Sequence, residues 1–249
     1  MPSAETLDQL ALDFLWEAMD AGDLPYPLQV RSHGETLDER TALRHRMHAE
    51  LAARGLIDRY GRVEPHVEDW LGVLARPDVA IDALFMPQLP GKAVAVFAAA
   101  AGGTGVVATQ SGDDLHLRRV RADGLVAEVI GLLPAAPRGA ETSVSLPADE
   151  FAAVNPRAVR GLADSDPRAA AARLVAQPNL RGGQFGVTAR DRHGARTRGP
   201  VLSWFDKPNG RYLASTSRGR DGRDWVTVAP ADIQTMRHRL GQLVAEVTR

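Results

Sequence analysis

The sequence predicts an α/β (α+β) protein made of a pseudo-twofold duplicated unit that shares one largely antiparallel sheet. Three observations predict it. The hydrophobic period changes from helical to two and back again, and does so twice along the chain. The runs of period two are separated by turns short enough for hairpins. Prolines, glycines and acidic caps mark the helix boundaries at corresponding places in the two halves.

Residues 6–17 carry Leu7, Leu10, Ala11 and Phe14 at helical spacing, with Thr6 and Gln9 set as a capping box. A second helix is predicted from Thr36, with Glu39 three residues on, Leu43, Met47 and Leu51 on one stripe, and a stop at Gly55. A third begins with Pro65 as its first residue, uses Val67, Trp70, Leu71 and Leu74, and ends before Pro77. Four strands follow around Val79–Ala83, Val94–Val96, Val106–Thr109 and Leu115–Val120, turned at residues 102–105 and 111–114. Leu125, Val129, Leu132 and Leu133 then read as a helix closed by Pro134.

After a Pro/Ala-rich joint at residues 134–141 the order returns. Asp166 and Pro167 cap a short helix that Pro178 ends, strands are predicted near 183–190, 201–206, 211–216 and 224–228, and a last helix presents Ile233, Met236, Leu240, Leu243, Val244 and Val247. The halves can be laid on each other, Val96-Phe97 on Trp204-Phe205 and Ala122-Asp123 on Ala231-Asp232. One domain of residues 1–249 is therefore expected, with subrepeats 1–133 and 142–249.

A chain of 249 residues, 44% hydrophobic and 24% charged, can bury a core without staples. The absence of cysteine excludes disulfides, thiolate ligands and thiol nucleophiles. Met1, Pro2, Ser3, Ala4 and Glu5, followed by Asp8 and Asp13, lack the basic and apolar regions of a secretory signal, so a soluble cytoplasmic protein is expected. The charge is polarised: residues 1–80 hold 15 Asp/Glu against 8 Arg, and residues 181–223 hold 10 Lys/Arg against 3 Asp.

No catalytic, cofactor or metal layout emerges. Lys92, near a glycine, is not followed by Ser or Thr, which excludes a Walker loop; Gly102, Gly103 and Gly105 do not make a dinucleotide fingerprint and suit a hairpin turn. Neither the nucleophile elbow nor a zincin motif occurs. His45 and His48 are the best metal candidates, but they stand among Arg40, Arg44 and Arg46, whose charges oppose a cation. Asp191, Arg192, His193 and Gly194 read as a turn. Arg181, Arg190, Arg192, Arg196, Arg198, Arg218, Arg220 and Arg223 raise nucleic-acid binding or regulation as the alternative function, without a recognition motif to go with them. A hydrolase with an unfamiliar site is a third reading.

Read in order, Phe14-Leu15-Trp16-Glu17, Leu24-Pro25-Tyr26-Pro27-Leu28, Gly183-Gln184-Phe185-Gly186-Val187, Leu202-Ser203-Trp204-Phe205-Asp206, Gly210-Arg211-Tyr212 and Trp225-Val226-Thr227-Val228-Ala229-Pro230 resemble the EspG family of type VII (ESX) secretion-associated proteins. The resemblance covers nearly the whole chain and none of its motifs is catalytic. It implies a cytosolic, non-enzymatic chaperone with a central antiparallel sheet flanked by helical bundles, which binds the apolar helical tip of a PE/PPE-like client. It also implies contact through the loop between the second and third strands and through the C-terminal helices. Counted on the strands above, that loop is residues 100–105, and the expected partner-binding residues are Ala101, Gly102, Gly103, Thr104 and Gly105 with Met236, Arg239, Leu240 and Leu243.

Overall fold

The computed structural model describes residues 4–155 and 166–249. The opening Met1, Pro2 and Ser3 of the signal-peptide reading lie outside them. Contacts group the chain into two compact units that are discontinuous in sequence: Met1–Asp82, Val94–Val129 and Ala189–Arg196 form one, and Ala83–Ala93, Ile130–Thr188 and Thr197–Arg249 the other.

The first unit opens with strand β1 (Ala4–Leu7), followed by helices α1 (Gln9–Ala18), α2 (Leu37–Ala53) and α3 (Pro65–Ala75). A meander of β2 (Val79–Met86), β3 (Val94–Ala101), β4 (Thr104–Ser111) and β5 (Asp114–Arg121) comes next, then a 3-10 turn and α4 (Leu125–Gly131). The strand order is β1-β5-β4-β3-β2, and β1, β3, β4 and β5 pair antiparallel.

Residues 6–8 depart from the sequence reading. Thr6 is not a helix cap: it lies in β1 opposite His116, its hydroxyl 3.0 Å from Nδ1, while Asp8 caps α1 through Oδ1, 2.8 Å from Ala11 N. Leu7 is fully buried opposite Leu115, and that burial in the sheet outweighs a further turn of helix. The expected cap of α2 is present, Thr36 and Glu39 each accepting from the other's backbone N–H. Val67, Trp70, Leu71 and Leu74 are the buried stripe of α3, which packs on β3 and β4.

In this meander alternation is clearest at the start of β5, where Leu115 and Leu117 face inward between exposed neighbours. In β3, Ala95 to Ala100 are all buried, because both faces are covered and small alanines allow close approach.

The second unit repeats the order: strand β6 (Val144–Pro147), helices α5 (Ala148–Ala152) and α6 (Pro167–Ala176), then β7 (Arg181–Arg190), the short β8 (Arg196–Arg198), β9 (Leu202–Lys207), β10 (Gly210–Arg218), β11 (Asp224–Pro230) and α7 (Ile233–Val247). Here the order is β7-β9-β10-β11-β6, with β8 on β7 and the last four residues of β2 beside β7. In both units a leading strand returns to pair antiparallel with the last strand of the meander. Reading the chain by period alone missed β1, β6 and β8, which are too short to show one.

Gly183 marks a close strand approach: a Cβ there would lie 2.6 Å from Leu84 O and 2.7 Å from Phe85 Cα. Below it, Val144, Leu146, Ala170, Ala171, Leu174, Tyr212 and Val228 form the core under α6.

Helix α2 is attached differently. Of its 17 residues only Met47 and Leu51 are buried, and it is held to α1 through Arg40, which donates to Asp13 at 3.0 and 3.1 Å, pairs with Glu17 and stacks 4.9 Å over Phe14; Arg44 also pairs with Glu17. Partial burial works against ionisation of Asp13 and Glu17, but hydrogen bonds from Arg40, joined by His33 at Asp13 and Arg44 at Glu17, outweigh it and hold both carboxyls below the usual carboxylate range.

Two predictions follow from this packing. Gly183→Ala should lower the urea midpoint sharply, by more than an exposed Gly→Ala change, because two backbone atoms cannot yield. For the depressed carboxyls, the stabilisation is full above about pH 4.5 and is lost as pH falls through the lowered values. The stability gap between wild type and Arg40→Gln in urea melts should therefore be largest near neutrality and narrow below about pH 4.

Candidate functional site

Several residues of the motifs that carry the resemblance are buried. Arg211 and Asp206, paired across β10 and β9, are both buried; Arg211 Nε donates to Asp206 Oδ1 at 2.7 Å and Nη2 to Oδ2 at 2.9 Å. Nη2 also reaches Pro134 O, Nη1 lies 3.7 Å from Met236 Sδ, and the guanidinium stacks 4.7 Å over Trp204. The backbone of Arg211 accepts from Gly139 and Ala231 and donates to Pro137, so the Pro/Ala-rich joint is strapped across β10. Tyr212 continues the clamp, its hydroxyl donating to Asn209 and accepting from Glu141 N. Phe14, Leu15, Trp16, Phe185 and Val187 are buried as well. These residues build the scaffold.

The expected partner-binding residues divide. Gly102 and Gly103 form the two-residue turn between β3 and β4, with φ of +54° and +85°, and project into open space. Ala101 and Thr104 are half-buried strand residues, and Gly105 is buried against β5. Because β1 precedes them, β3 and β4 are the third and fourth strands in the described chain. The connection between the second and third is instead residues 87–93, where Pro87, Gln88, Pro90, Gly91, Lys92 and Ala93 are exposed and Leu89 N donates to Leu180 O. Of the α7 residues, Met236 and Leu240 are internal, at 0% exposure. Arg239 is exposed beside Gln242, and Leu243 is buried at the edge of a groove.

That groove is an opening of about 500 Å³ between α7 and the facing side of β9, β10 and β11. Val201, Leu202, Leu213, Ala229, Pro230 and Leu243 make its apolar lining, and Arg138, Arg239, Gln242 and Glu246 its polar rim. Val201 is 43% exposed, an apolar side chain left facing solvent. Of the expected partner-binding residues only Arg239 and Leu243 fall on this groove, because its lining comes from three strands and a helix far apart in the chain.

Three of the eight arginines in and beside the arginine-rich loops are paired with carboxylates. Arg181 pairs with Asp206, Arg218 with Asp224, and Arg223 with both Asp149 and Glu150. Asp191 Oδ1 accepts from His193 N and Ala195 N, closing the expected turn. His45 and His48 are exposed on α2, and no group of three or more His, Asp or Glu that could hold a metal is found among the described residues. None of the described helices is long and apolar enough to cross a membrane.

Comparison with known proteins gives three findings. The EspG family model matches residues 8–242. The ESX-1 secretion-associated protein EspG1 of Mycobacterium tuberculosis is 27% identical over 178 residues, 69% of this chain; the match spans 61% of that relative's length. The fold is similar, with a TM-score of 0.73 and 18% identity over 98% of this chain and 96% of the other, to the M. tuberculosis type VII secretion system chaperone EspG5, solved in complex with a PE25–PPE41 dimer.

The two sides of α7 should separate on substitution. Met236→Ala should cost about 2–5 kcal/mol in urea unfolding, as a buried side chain beside Arg211, whereas Arg239→Ser should stay within about 0.5 kcal/mol.

Proposed function

The chain belongs to the EspG family, and on that premise we propose that it is a cytosolic chaperone that binds a PE/PPE-like secretion substrate, keeps it soluble and directs it to a type VII secretion system. The observation that carries this reading is the apolar groove along α7, on a fold like that of a chaperone solved with a PE–PPE pair. An exposed apolar helix tip aggregates, and removing it from water is worth about 25 cal/mol per Å² of apolar area. No bond need be made or broken, and the protein is read as non-enzymatic. The groove lining supplies the apolar centre. Arg239 and Glu246 on its rim select the partner and set association rate more than affinity. Residues 87–93 and the Gly102–Gly103 turn are the loops proposed to touch the client.

Co-expression with a PE/PPE-like pair should yield a complex that survives gel filtration as salt rises from about 50 to 500 mM, because apolar burial is scarcely screened. Val201→Glu should abolish the complex while leaving the melting temperature unchanged. Arg192→Ser, Arg196→Ser and Arg198→Ser together should leave it intact. Lys92→Glu and Gly103→Asp should each weaken it if their loops touch the client. Failure to recover any client, together with tight, salt-sensitive DNA binding lost in the triple variant, would replace this reading with that of a nucleic-acid-binding regulator.

A further inference from the structure

The first unit contains an opening of its own, built from none of the residues proposed to meet the client. It is a pocket of about 310 Å³ between α1 and α2, closed at one side by the loop that leads to α3. Phe14, Leu15, Ala18, Met47, Leu51 and Ile57 give it an apolar floor. Its volume is at the small end of the range of ligand pockets, about 300–1,000 Å³, and suits a single Leu, Met or Phe side chain.

Beside the pocket, residues 58–62 form a tight turn that holds an aromatic ring out to solvent. Asp58 Oδ1 accepts from Tyr60 N at 2.7 Å and from Arg62 N at 2.9 Å, and Asp58 N donates to Arg62 O at 2.8 Å. Tyr60 is 67% exposed, yet Arg59 and Arg62 stack on its ring at 4.9 and 5.4 Å. Gly61 of the same turn lines the pocket, with the His48 ring against it. Tyr and Arg are the side chains that most often anchor protein interfaces, and here they are ordered in advance.

The charges at the mouth specify the partner. Its carboxylates are occupied: Glu17 by Arg40 and Arg44, and Asp58 by Arg62 and two backbone N–H groups. Arg59 has no carboxylate partner among the described residues, and His48 has none either. The hydrogen-bonding capacity left beside the pocket is therefore led by the Arg59 guanidinium, which is all donor and suits carboxylates, with the His48 imidazole able to supply an N–H.

We infer that the α1–α2 pocket and the Tyr60 turn form a second protein-docking surface, which takes an acidic segment of a partner protein carrying one apolar anchor side chain. The anchor enters between Phe14 and Met47, and flanking Asp or Glu side chains meet Arg59, Arg62 and His48. The surface is separate in its residues from the client groove, so the chain can hold a client and engage another protein as an adaptor.

The test uses the full chain, labelled with nitrogen-15, and a seven-residue peptide of Asp and Glu with one central Phe, blocked at both ends. Amide shifts should concentrate at Ala18, His48, Tyr60 and Gly61 and saturate in the roughly millimolar range expected of so small a contact. Replacing the Phe by Ser, or the acids by Asn and Gln, should each weaken binding about tenfold or more. Ala18→Trp, which fills the pocket, and the pair Arg59→Ser with Tyr60→Ser should abolish it with unchanged melting temperature, and Ala18→Trp should leave the client complex intact. Absence of shifts, equal shifts with the neutral peptide, or shifts scattered elsewhere would overturn the proposal. So would sedimentation showing a dimer that Ala18→Trp converts to monomer, since the occupant would then be a second copy of the chain.

Discussion

The buried pairing of Arg211 with Asp206 organises much of the second unit. Two charges removed from water cost several kcal/mol each unless geometry and hydrogen bonds return it. Here the carboxylate is met by two guanidinium nitrogens, with Arg181 Nε 3.2 Å away, and the guanidinium is further engaged by Pro134 O, the Met236 sulfur and the Trp204 face. These partners come from four segments: Asp206 and Trp204 from β9, Arg181, which joins through Asp206, from β7, Pro134 from the joint after α4, and Met236 from α7. Satisfying one arginine therefore fixes how four parts of the chain meet, and the register of β9 on β10 follows from it.

That constraint accounts for where several of the family's recognisable motif residues lie. Trp204, Asp206, Arg211 and Tyr212 are interior, and Gly183 is needed for a strand crossing rather than for contact. The groove beside α7 is lined in part by residues such as Val201 and Arg239, which are exposed and take no part in that buried pairing. The first unit obeys a different rule: α2 is fastened by ion pairs more than by apolar burial, and a pocket of about 310 Å³ is left between it and α1.

Much of this was legible before the fold was known. The helical stripe of α3, the capping box at Thr36, the turn glycines at 102 and 103, and the four-strand meander β2–β5 all follow from local physics, because period, caps and positive-φ turns act within a few residues. The fold class and family followed from those features and the motif series. Three-dimensional contact decided the rest. Thr6 joined a strand because Leu7 found Leu115 over a hundred residues away, and the short β6 exists only because β11 lies beside it. With β1 in place, the connection between the second and third strands is at residues 87–93, a shift no local pattern could reveal. Met236 and Leu240 lie inward and Arg239 outward because α7 has one sheet to cover. The groove beside it has no signature in sequence, since a concave surface is made by residues that only tertiary packing brings together.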